Sequence, residues 1–399
     1  MTANSSSVSV VIAAYNQGSY LAGALRSAIN QTRPPLEIIV VDDGSTDDTA
    51  AVVGSFGDAV HYIWQENQGL AGARNTAIRA ATSDYVAFLD SDDEWMPPFL
   101  ERIMETAERC PEAAAYYSGW CYVDADGNRL PQEAHTRLVK QDEVYSALLR
   151  ANFINGSTFV VRRSVFESSG LFDLSFRRLQ DWELWLRFAQ DGNRFVGLRD
   201  CLVLYRLHGS SLSTDLVSGQ RAALAAANRH FGLDDDRWDT WSANKRRAYG
   251  GAYRYCALKA VLRQDDWRAC ADNLRRAILI DPSLAGDIDM YYELALGNQP
   301  PGYRGTRFRL NLEENASRLL QMLAEIFGPS APPELQALRG EAFDAAHDTL
   351  LLVAYNTGKY HLCPRFMREA VRHNRAMLAH SGALSLTAKS FVRRVLRAA

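Results

Sequence analysis

The chain has 399 residues, which is enough for two or three domains that each bury a hydrophobic core. With 47% hydrophobic and 23% charged residues and a net charge of −3, its composition is that of a soluble globular protein and gives no reason to expect a nucleic-acid partner. Its six cysteines form no CxxC pair and no run of about 18 apolar residues occurs, which excludes a zinc ribbon and a transmembrane helix and argues against a disulfide framework.

The first 110 residues alternate between strand and helix patterns. The apolar, β-branched run at 8–14 predicts a strand that is covered on both faces, and 38–41 predicts a second buried strand. A third strand is predicted at 60–64 and a fourth at 85–89. Helical spacing of apolar residues follows the first strand, and the segments DDGSTDDT and NQGLAGARN each begin a further helix. Strands that alternate with helices in this way predict βαβ units and a parallel sheet.

The pattern of residues 113–208 predicts further strands, parallel and antiparallel, that complete the same sheet. Strands are expected in AAAYYSGWCYVDADGNRL, STFVVRRSVF and FVGLRDCLVLYRLH, and an amphipathic helix in LQDWELWLRFAQDG. We therefore predict one α/β domain over residues 1–216.

Strand patterns end near residue 216, and helical patterns fill the rest of the chain. An all-α domain is predicted over 217–399, with sub-blocks at 243–297, 303–328 and 334–399 separated by proline clusters. The segment ALKAVLRQDDWRACADNLRRAILIDP has the helix, turn, helix and final Asp-Pro of a tetratricopeptide-like hairpin. We expect such hairpins to bind a protein partner or to stabilise a homo-oligomer.

Carboxylates are concentrated where the fourth predicted strand ends. Asp90, Asp92 and Asp93 lie within four residues, so their charges repel one another unless a cation offsets them. Ligands bind at the carboxyl ends of parallel strands, and Mg²⁺ commonly combines one or two carboxylates with phosphate oxygens and water. A nucleotide site with a divalent cation is therefore predicted at this edge. For Asp42, Asp43, Asp47 and Asp48, capping of the next helix is an equal alternative.

Six segments stand in the order and spacing found in one enzyme family: VSVVIAAYN, IIVVDDGSTDDT, NQGLAGARNTAI, DYVAFLDSDDEWMP, LQDWELWLR and YRLHGSSLS. Over about residues 7–213 the chain resembles the family 2 glycosyltransferases of GT-A fold. The resemblance implies metal-dependent, inverting transfer of a hexosyl or N-acetylhexosaminyl group from a nucleotide-sugar donor, with UDP the commonest nucleotide. The acceptor would be a hydroxyl on a carbohydrate, lipid-linked or protein acceptor in surface polysaccharide or glycoconjugate assembly.

The resemblance also implies roles for individual residues. Contacts with the nucleotide or donor fall on Ala13, Tyr15, Asn16, Asp43, Arg74, Asp90 and Ser91. Asp43 would accept a hydrogen bond from the base, and Arg74 would lie near the diphosphate. Mn²⁺ or Mg²⁺ would be held by the DxD residues Asp90 and Asp92, chiefly Asp92, and by His208. Arg206 is an alternative to His208 for contact with the diphosphate.

The catalytic base is assigned by position to Asp181, at the start of the Trp-rich helix. The family usually has Glu-Asp there, whereas this chain has Gln180 and Asp181, so the first acid is missing. Glu183 is the competing base, and capping of the helix is the structural alternative for Asp181. Trp182 and Asn155 are candidate contacts with sugar or acceptor.

The C-terminal 35 residues are basic and amphipathic. Arg365, Arg368, Arg372 and Arg375 form one helical stripe beside Met367, Ala370, Val371 and Leu378, and SFVRRVLRAA repeats the pattern. Peripheral contact with an anionic membrane and the solvated face of a helical bundle are both consistent with it. Because MTANSSS lacks the features of a signal peptide, we expect a cytoplasmic protein, with attachment to the cytoplasmic face of the membrane left open.

Two other functions compete with transfer. A sugar nucleotidyltransferase would need a basic, glycine-rich loop after the first strand, and AAYNQGSYL contains no Lys or Arg. A non-catalytic scaffold would bind a nucleotide sugar and act through the helical domain.

Overall fold

The computed structural model describes residues 6–132, 136–209, 216–375 and 381–398. Contacts between Cα atoms divide the chain into two compact units, Met1–Leu212 and Ser213–Ala399. The domain boundary predicted at residue 216 differs from this division by a few residues.

The parallel half of the first unit is built as the sequence predicts. Its strands are β1 (Val8–Ala14), β2 (Glu37–Asp42), β3 (His61–Trp64) and β4 (Tyr85–Phe88), and its helices are α1 (Gly18–Ile29), α2 (Thr49–Gly54), α3 (Gly69–Ala80) and α4 (Phe99–Arg109). β1 runs parallel to both β2 and β4, and β2 runs parallel to β3. β1, β2 and β4 are covered on both faces, so residues such as Ile12, Val40 and Ala87 are fully buried, whereas β3 is an exposed edge strand.

A mixed half completes one eight-stranded sheet of order β3-β2-β1-β4-β7-β6-β8-β5. It comprises β5 (Glu94–Trp95), β6 (Ala115–Val123), β7 (Phe159–Arg162) and β8 (Phe195–Arg206), with α5 (Val144–Arg150), α6 (Ser164–Ser169) and α7 (Gln180–Gln190). β7 is antiparallel to β4 and β6, whereas β6 and β8 are parallel. The predicted α/β class with a mixed, mostly parallel sheet is confirmed.

A disulfide joins the neighbouring strands β6 and β8. It links Cys121 to Cys201, whose Cα atoms are 6.3 Å apart, while the other four cysteines are free. The cysteine pattern argues against a disulfide framework and does not predict this single bond. A sequence separation of 80 residues gives no local signal for such a bond.

All the regular secondary structure described in the second unit is helical. It comprises α8 (Leu216–Phe231), α9 (Ala243–Gln264), α10 (Trp267–Ile280), α11 (Ile288–Leu296), α12 (Leu312–Ile326), α13 (Pro333–Asn356), α14 (Cys363–His373) and α15 (Ser381–Ala398). α9 and α10 form the predicted hairpin, whose turn contains Asp265 in the left-handed conformation and Asp266 capping α10 through its bond from the Ala269 amide. The prediction of a helical C-terminal region is confirmed.

Three arginines of the basic stripe lie on α14, and Arg375 follows the end of this helix. The apolar side of α14 is buried. Phe366, Met367 and Ala370 are buried in the core of the helical unit, and Val371 packs against that core. Arg365, Arg368, Arg372 and Arg375 are exposed. The apolar residues of α14 are therefore not available for insertion into a bilayer. Leu378 and the side chains of SFVRRVLRAA beyond Ser390 lie outside the described residues. In the described part of the chain, no helix combines the length and apolar character needed to cross a membrane.

Candidate functional site

The acidic loop follows β4 and turns back at once into β5. The Asp93 amide donates to the Asp90 carbonyl at 3.1 Å, which closes a turn over the residues between them. Within this turn the side chains of Asp90 and Asp92 are 31% and 23% exposed, whereas Ser91 and Asp93 are buried. Two of the three carboxylates therefore face the edge of the sheet, and the third faces inward.

Asp93 is a structural carboxylate. Its two oxygens accept hydrogen bonds from the Ser157 hydroxyl at 2.6 Å and from the Arg206 amide at 3.0 Å. Burial raises the pKa of Asp93 well above its usual range, and the negative charges of Asp92 and Asp90 raise it further. The electrostatic repulsion among the three carboxylates, which the sequence leads us to expect, therefore acts mainly on Asp93, the buried one.

Arg206 holds the acidic loop against the end of β8. Its Nε donates to the Asp92 carbonyl at 2.9 Å, and its Nη2 pairs with Glu94 at 2.5 Å. Its Nη1 donates to the carbonyls of Asp124 and Ala125. Because all three guanidinium nitrogens are engaged, Arg206 is a structural clamp and not the alternative contact with a diphosphate.

Asp90 forms an ion pair with Arg74, whose side chain projects from α3. The Nη2 and Oδ1 atoms are 2.5 Å apart, and the guanidinium also lies over the Phe172 ring, 5.4 Å from its centroid. Gly156 lies close beside the pair, since a Cβ atom there would be 3.2 Å from Arg74 Nη2. Asp90, predicted as a second metal ligand, thus has the guanidinium as its partner.

Asp92 and His208 lie side by side, as their assignment to one cation requires. Asp92 Oδ2 is 2.8 Å from His208 Nε2, and the imidazole, only 3% exposed, packs against the Tyr20 ring. No described group of three or more His, Cys, Asp or Glu side chains is arranged to hold a metal alone. One carboxylate and one imidazole nevertheless fit a Mn²⁺ or Mg²⁺ ion whose remaining ligands are phosphate oxygens and water.

Asp181 is the second residue of α7 and directly follows two residues with unusual surroundings. Leu179 has φ 53°, a left-handed conformation that is costly for a bulky residue, and Gln180 is buried with no hydrogen-bond partner for its side-chain oxygen among the described residues. Asp181 itself is partly exposed and accepts a hydrogen bond from Asn152 Nδ2 at 3.1 Å. The local backbone therefore directs the start of α7 toward the segment that contains Asn152.

Opposing influences set the pKa of Asp181. Burial raises it and is the largest effect, while the positive charge of Arg74 and hydrogen bonds from the Trp182 amide and Asn152 lower it. The negative charge of Asp90 adds to the increase, and the net result is a raised pKa. Asp181 thus lies within electrostatic reach of the Asp90–Arg74 pair and is a stronger base than an exposed aspartate.

Three residues that the sequence suggests for contact with sugar or acceptor, or for the base, are bonded to other parts of the protein. Trp182 is 2% exposed, and its indole donates to the Leu148 carbonyl at 2.7 Å, so it is not a stacking platform for sugar. Glu183 is 1% exposed and pairs with Arg187 at 2.7 Å, so it is not a competing base. Asn155 caps a short turn by accepting from the Ser157 amide at 2.8 Å.

Several residues that are predicted to contact the nucleotide lie at the end of β1 or on the loops after β1 and β2. Ala13 is near the end of β1, and the Tyr15 side chain that follows is 50% exposed. Asn16, with φ 51°, accepts a hydrogen bond from the Thr46 amide at 2.8 Å and so joins the two loops. The loop after β1 thus leaves one aromatic face available beside the strand ends.

Asp43 is buried and anchors the start of α3. Its carboxylate accepts from Gln65 Nε2 at 2.6 Å and from the amides of Gln68 and Gly69 at 2.9 and 2.8 Å. A contact between Asp43 and a base would have to share an oxygen that is already hydrogen-bonded. The predicted base contact stays a prediction.

The segment 152–157 supplies residues of the candidate site of which only Asn155 was a named candidate from the sequence. Asn152 donates to Asp181, Gly156 packs on the Asp90–Arg74 pair, and the Ser157 hydroxyl bonds both Asp93 and the Asp90 amide. The resemblance places this segment near the donor sugar or acceptor, but the residue types do not indicate which side chains contact the acidic loop.

A mixed sheet of this order, with acidic residues where β4 ends, is that of a glycosyltransferase of GT-A fold. The chain belongs to glycosyl transferase family 2, whose sequence profile matches residues 9–170. It is 33% identical over 214 residues to the putative teichuronic acid biosynthesis glycosyltransferase TuaG of Bacillus subtilis, covering 52% of this chain and 82% of the relative. Membership of this family supports neither the nucleotidyltransferase nor the scaffold alternative.

The chain is also similar to a second curated enzyme and to one solved structure. The chain is 32% identical over 215 residues to the Escherichia coli enzyme UDP-Glc:alpha-D-GlcNAc-diphosphoundecaprenol beta-1,3-glucosyltransferase WfaP, covering 52% of this chain and 80% of that one. Among solved structures, residues 1–349 of Staphylococcus aureus TarS in complex with UDP-GlcNAc align with a TM-score of 0.46 at 17% identity, covering 93% of this chain and 90% of that one.

Proposed function

We propose that the chain transfers a hexosyl or N-acetylhexosaminyl group from a UDP-sugar to a hydroxyl of a growing, lipid-linked saccharide, with inversion at the anomeric carbon. The observation that carries the proposal is the Asp181 carboxylate, partly exposed within reach of the Asp90–Arg74 pair and with a raised pKa. The names of TuaG and WfaP support a role in surface polysaccharide assembly, a UDP-linked donor and a lipid diphosphate carrier for the acceptor.

The reaction is one in-line displacement. The acceptor oxygen forms a bond to the sugar C1 as the bond from C1 to the diphosphate oxygen breaks, and the electron pair of that bond leaves with the nucleoside diphosphate. The acceptor proton passes to a carboxylate oxygen of Asp181, a step that commonly contributes about 10² to 10⁴ in rate. Asn152, which donates to one oxygen of Asp181, orients the carboxylate for this transfer.

Negative charge that develops on the leaving diphosphate needs a cationic environment. Arg74 supplies one positive charge, held in position by Asp90 and by the Phe172 ring. Asp92 and His208 would hold Mn²⁺ or Mg²⁺, which stabilises the leaving diphosphate when bound. Asp43 and Tyr15 would define the base pocket on the neighbouring loops.

The test combines calorimetry with donor hydrolysis. UDP, GDP and dTDP are titrated into the full chain with Mn²⁺ and again with EDTA, and each matching nucleotide sugar is then incubated without acceptor. We expect metal-dependent binding of UDP and slow release of free sugar. Binding of GDP or dTDP in place of UDP would change the nucleotide assigned to the donor. The absence of both binding and hydrolysis would overturn the proposal.

We also propose that a lipid-linked acceptor is reached by electrostatic contact of α14 with an anionic membrane surface. The exposed Arg368 and Arg372 support it, and the buried apolar side of the same helix argues against insertion. Exchange of both arginines for glutamate should abolish sedimentation with phosphatidylglycerol vesicles. The same exchange at Arg268 and Arg275, exposed on α10, is the control. Equal binding to neutral phosphatidylcholine vesicles would contradict the proposal.

A further inference from the structure

A cavity lies between α1 and the segment that leaves the acidic loop through β5. One wall is α1 together with Asn30, the residue that follows it, and the other wall is formed by residues of the segment 94–97. The volume of the cavity is about 290 Å³, close to the lower limit of roughly 300 Å³ for ligand pockets in proteins. The cavity therefore has the size expected for a ligand as small as one monosaccharide.

Hydrogen bonds hold the two walls of this cavity together. The side chain of Gln31 is buried, and it donates to the Met96 carbonyl at 3.0 Å and accepts from the Leu100 amide at 2.9 Å. The Trp95 amide donates to the Ser27 hydroxyl at 3.1 Å. Because the walls are fixed to each other, the cavity is preformed and a ligand that enters it does not have to order them.

The wall on the side of α1 carries hydrogen-bond donors. Arg26 lines the cavity, and its exposed guanidinium has neither an ion pair nor a hydrogen bond to any residue that the structure describes. Asn30 lies one helical turn further along and also lines the cavity. Its side-chain amide is likewise exposed and unbonded among the described residues. This wall therefore offers one positive charge and a neutral donor to the same ligand.

The opposite wall carries an acceptor in a fixed position. Glu94 Oε1 pairs with Arg206 Nη2 at 2.5 Å, and the side chain of Glu94 remains 34% exposed. Gly23 allows this close packing, since a Cβ atom there would be 2.8 Å from Glu94 Oε1. The second oxygen, Oε2, accepts no hydrogen bond from a described residue. Glu94 can therefore accept from a ligand while Arg206 compensates its charge.

We propose that this cavity binds an anionic monosaccharide, either a sugar acid or a sugar phosphate. The anionic group would accept hydrogen bonds from Arg26, whose planar guanidinium suits carboxylate and phosphate oxygens. A ligand hydroxyl would donate to Glu94, and another would accept from Asn30. A neutral sugar leaves the charge of Arg26 without a partner, and an anion without hydroxyl groups has no donor for Glu94. The inference does not depend on the proposed transfer reaction.

Titration with simple sugars tests the chemistry of the ligand. D-Glucuronate, D-glucose 6-phosphate and D-glucose are each added to the full chain in EDTA without nucleotide, and saturation-transfer NMR measures their dissociation constants. We expect at least one of the two anionic sugars to bind about tenfold more tightly than glucose, or more. Succinate at equal ionic strength should not compete, because its second carboxylate would face the carboxylate of Glu94.

Two variants and a control locate the binding. Arg26→Gln should weaken binding of the anionic sugar about tenfold or more. Asn30→Asp should have a similar effect, because the new carboxylate is one turn from Arg26 and would neutralise it. Arg79→Gln, at an exposed position in the last turn of α3, is the matched control and should bind as the unmodified chain does.

The same titrations contain the results that would contradict the proposal. Equal affinity for glucose and both anionic sugars, competition by succinate, or unchanged affinity in Arg26→Gln would overturn it. Tighter Arg26-dependent binding of glucuronate identifies a sugar acid, and tighter binding of glucose 6-phosphate identifies a sugar phosphate. Because metal and nucleotide are absent and Arg26 lies outside the candidate active site, failure here is distinguishable from failure of donor binding.

Discussion

Asp181 has the position and the surroundings that the proposed base requires, and its replacement separates chemistry from binding. Asp181→Asn keeps the shape and can still bond Asn152, but it cannot take a proton. We expect transfer to fall by about 10² to 10⁴ and the dissociation constant for UDP to change little. Product formation and calorimetry on the same preparation measure the two quantities.

The control for Asp181→Asn is Asp191→Asn, which makes the same change at the exposed opposite end of α7. Asp191→Asn should leave the rate of transfer and the dissociation constant for UDP near those of the unmodified chain. Comparable turnover by the two variants would show that the base is another residue.

His208 should affect metal-dependent binding and not the proton transfer. His208→Ala removes the nitrogen that lies 2.8 Å from Asp92, so we expect UDP binding in Mn²⁺ to weaken by about tenfold or more. Binding in EDTA should be unaffected. His61→Ala, an exposed histidine of β3, is the matched control. Equal loss of binding with and without metal would assign His208 a purely structural role.

For individual residues, the sequence predicts which chemical groups meet at the site better than it predicts which way their side chains face. Asp92 and His208, 116 residues apart, are brought together as the resemblance implies. Trp182 is a candidate from the sequence for stacking on a sugar and Glu183 for a competing base, but α7 is buried around most of its circumference. A helical pattern alone does not reveal which side faces a ligand. The contacts of Asn152 and Ser157 were not predicted, because the sequence does not show which side chains of their segment meet Asp181 and Asp93.

The contact between α13 and α14 should make the helical unit sensitive to acid. His347 is buried, and its ring lies 5.6 Å from that of His373. Burial lowers the pKa of His347, and the nearby His373 lowers it further against the opposing effects of the Phe343 carbonyl, Glu369 and Asp344. The unfolded chain therefore binds more protons than the folded chain below the ordinary histidine pKa of about 6.5.

It follows that stability is retained above that pH and is lost as the pH falls below it. We expect the free energy of unfolding to decrease by at most about 1.4 kcal/mol per pH unit for each proton bound. Denaturant titrations from about pH 7.5 to about pH 5 measure this slope. His347→Leu should flatten it, whereas His361→Leu, at an exposed position, should not. A slope that is the same in both variants would assign the effect to other groups.

Elements with strong local patterns were predicted well, and elements that depend on distant partners were not. The four parallel strands follow directly from their apolar runs. β5 has two residues and exists because Glu94 and Trp95 pair with Leu204 and Val203 of β8. A strand of this kind is set by tertiary structure, as is the bond between Cys121 and Cys201.

Each of the two units has a hydrophobic core of its own. Ligands that bind only the folded form raise the stability of the unit that binds them. We therefore expect calorimetry to resolve two unfolding transitions, of which UDP with Mn²⁺ raises one and acidification lowers the other through His347. A single transition that responds to both conditions would show that the units unfold together.

The pairing of the acidic loop with β8 has a consequence for biosynthesis. Asp93 receives its hydrogen bond from the Arg206 amide, 113 residues further along the chain. A ribosome that adds about 5 to 20 residues per second needs roughly ten seconds to cover that distance. During this interval the nascent loop lacks its clamp, and its carboxylates remain in water. The edge that carries Asp92 and His208 can therefore form only after nearly the whole first unit has been translated, and a chaperone that shields unpaired strand edges would act in this interval.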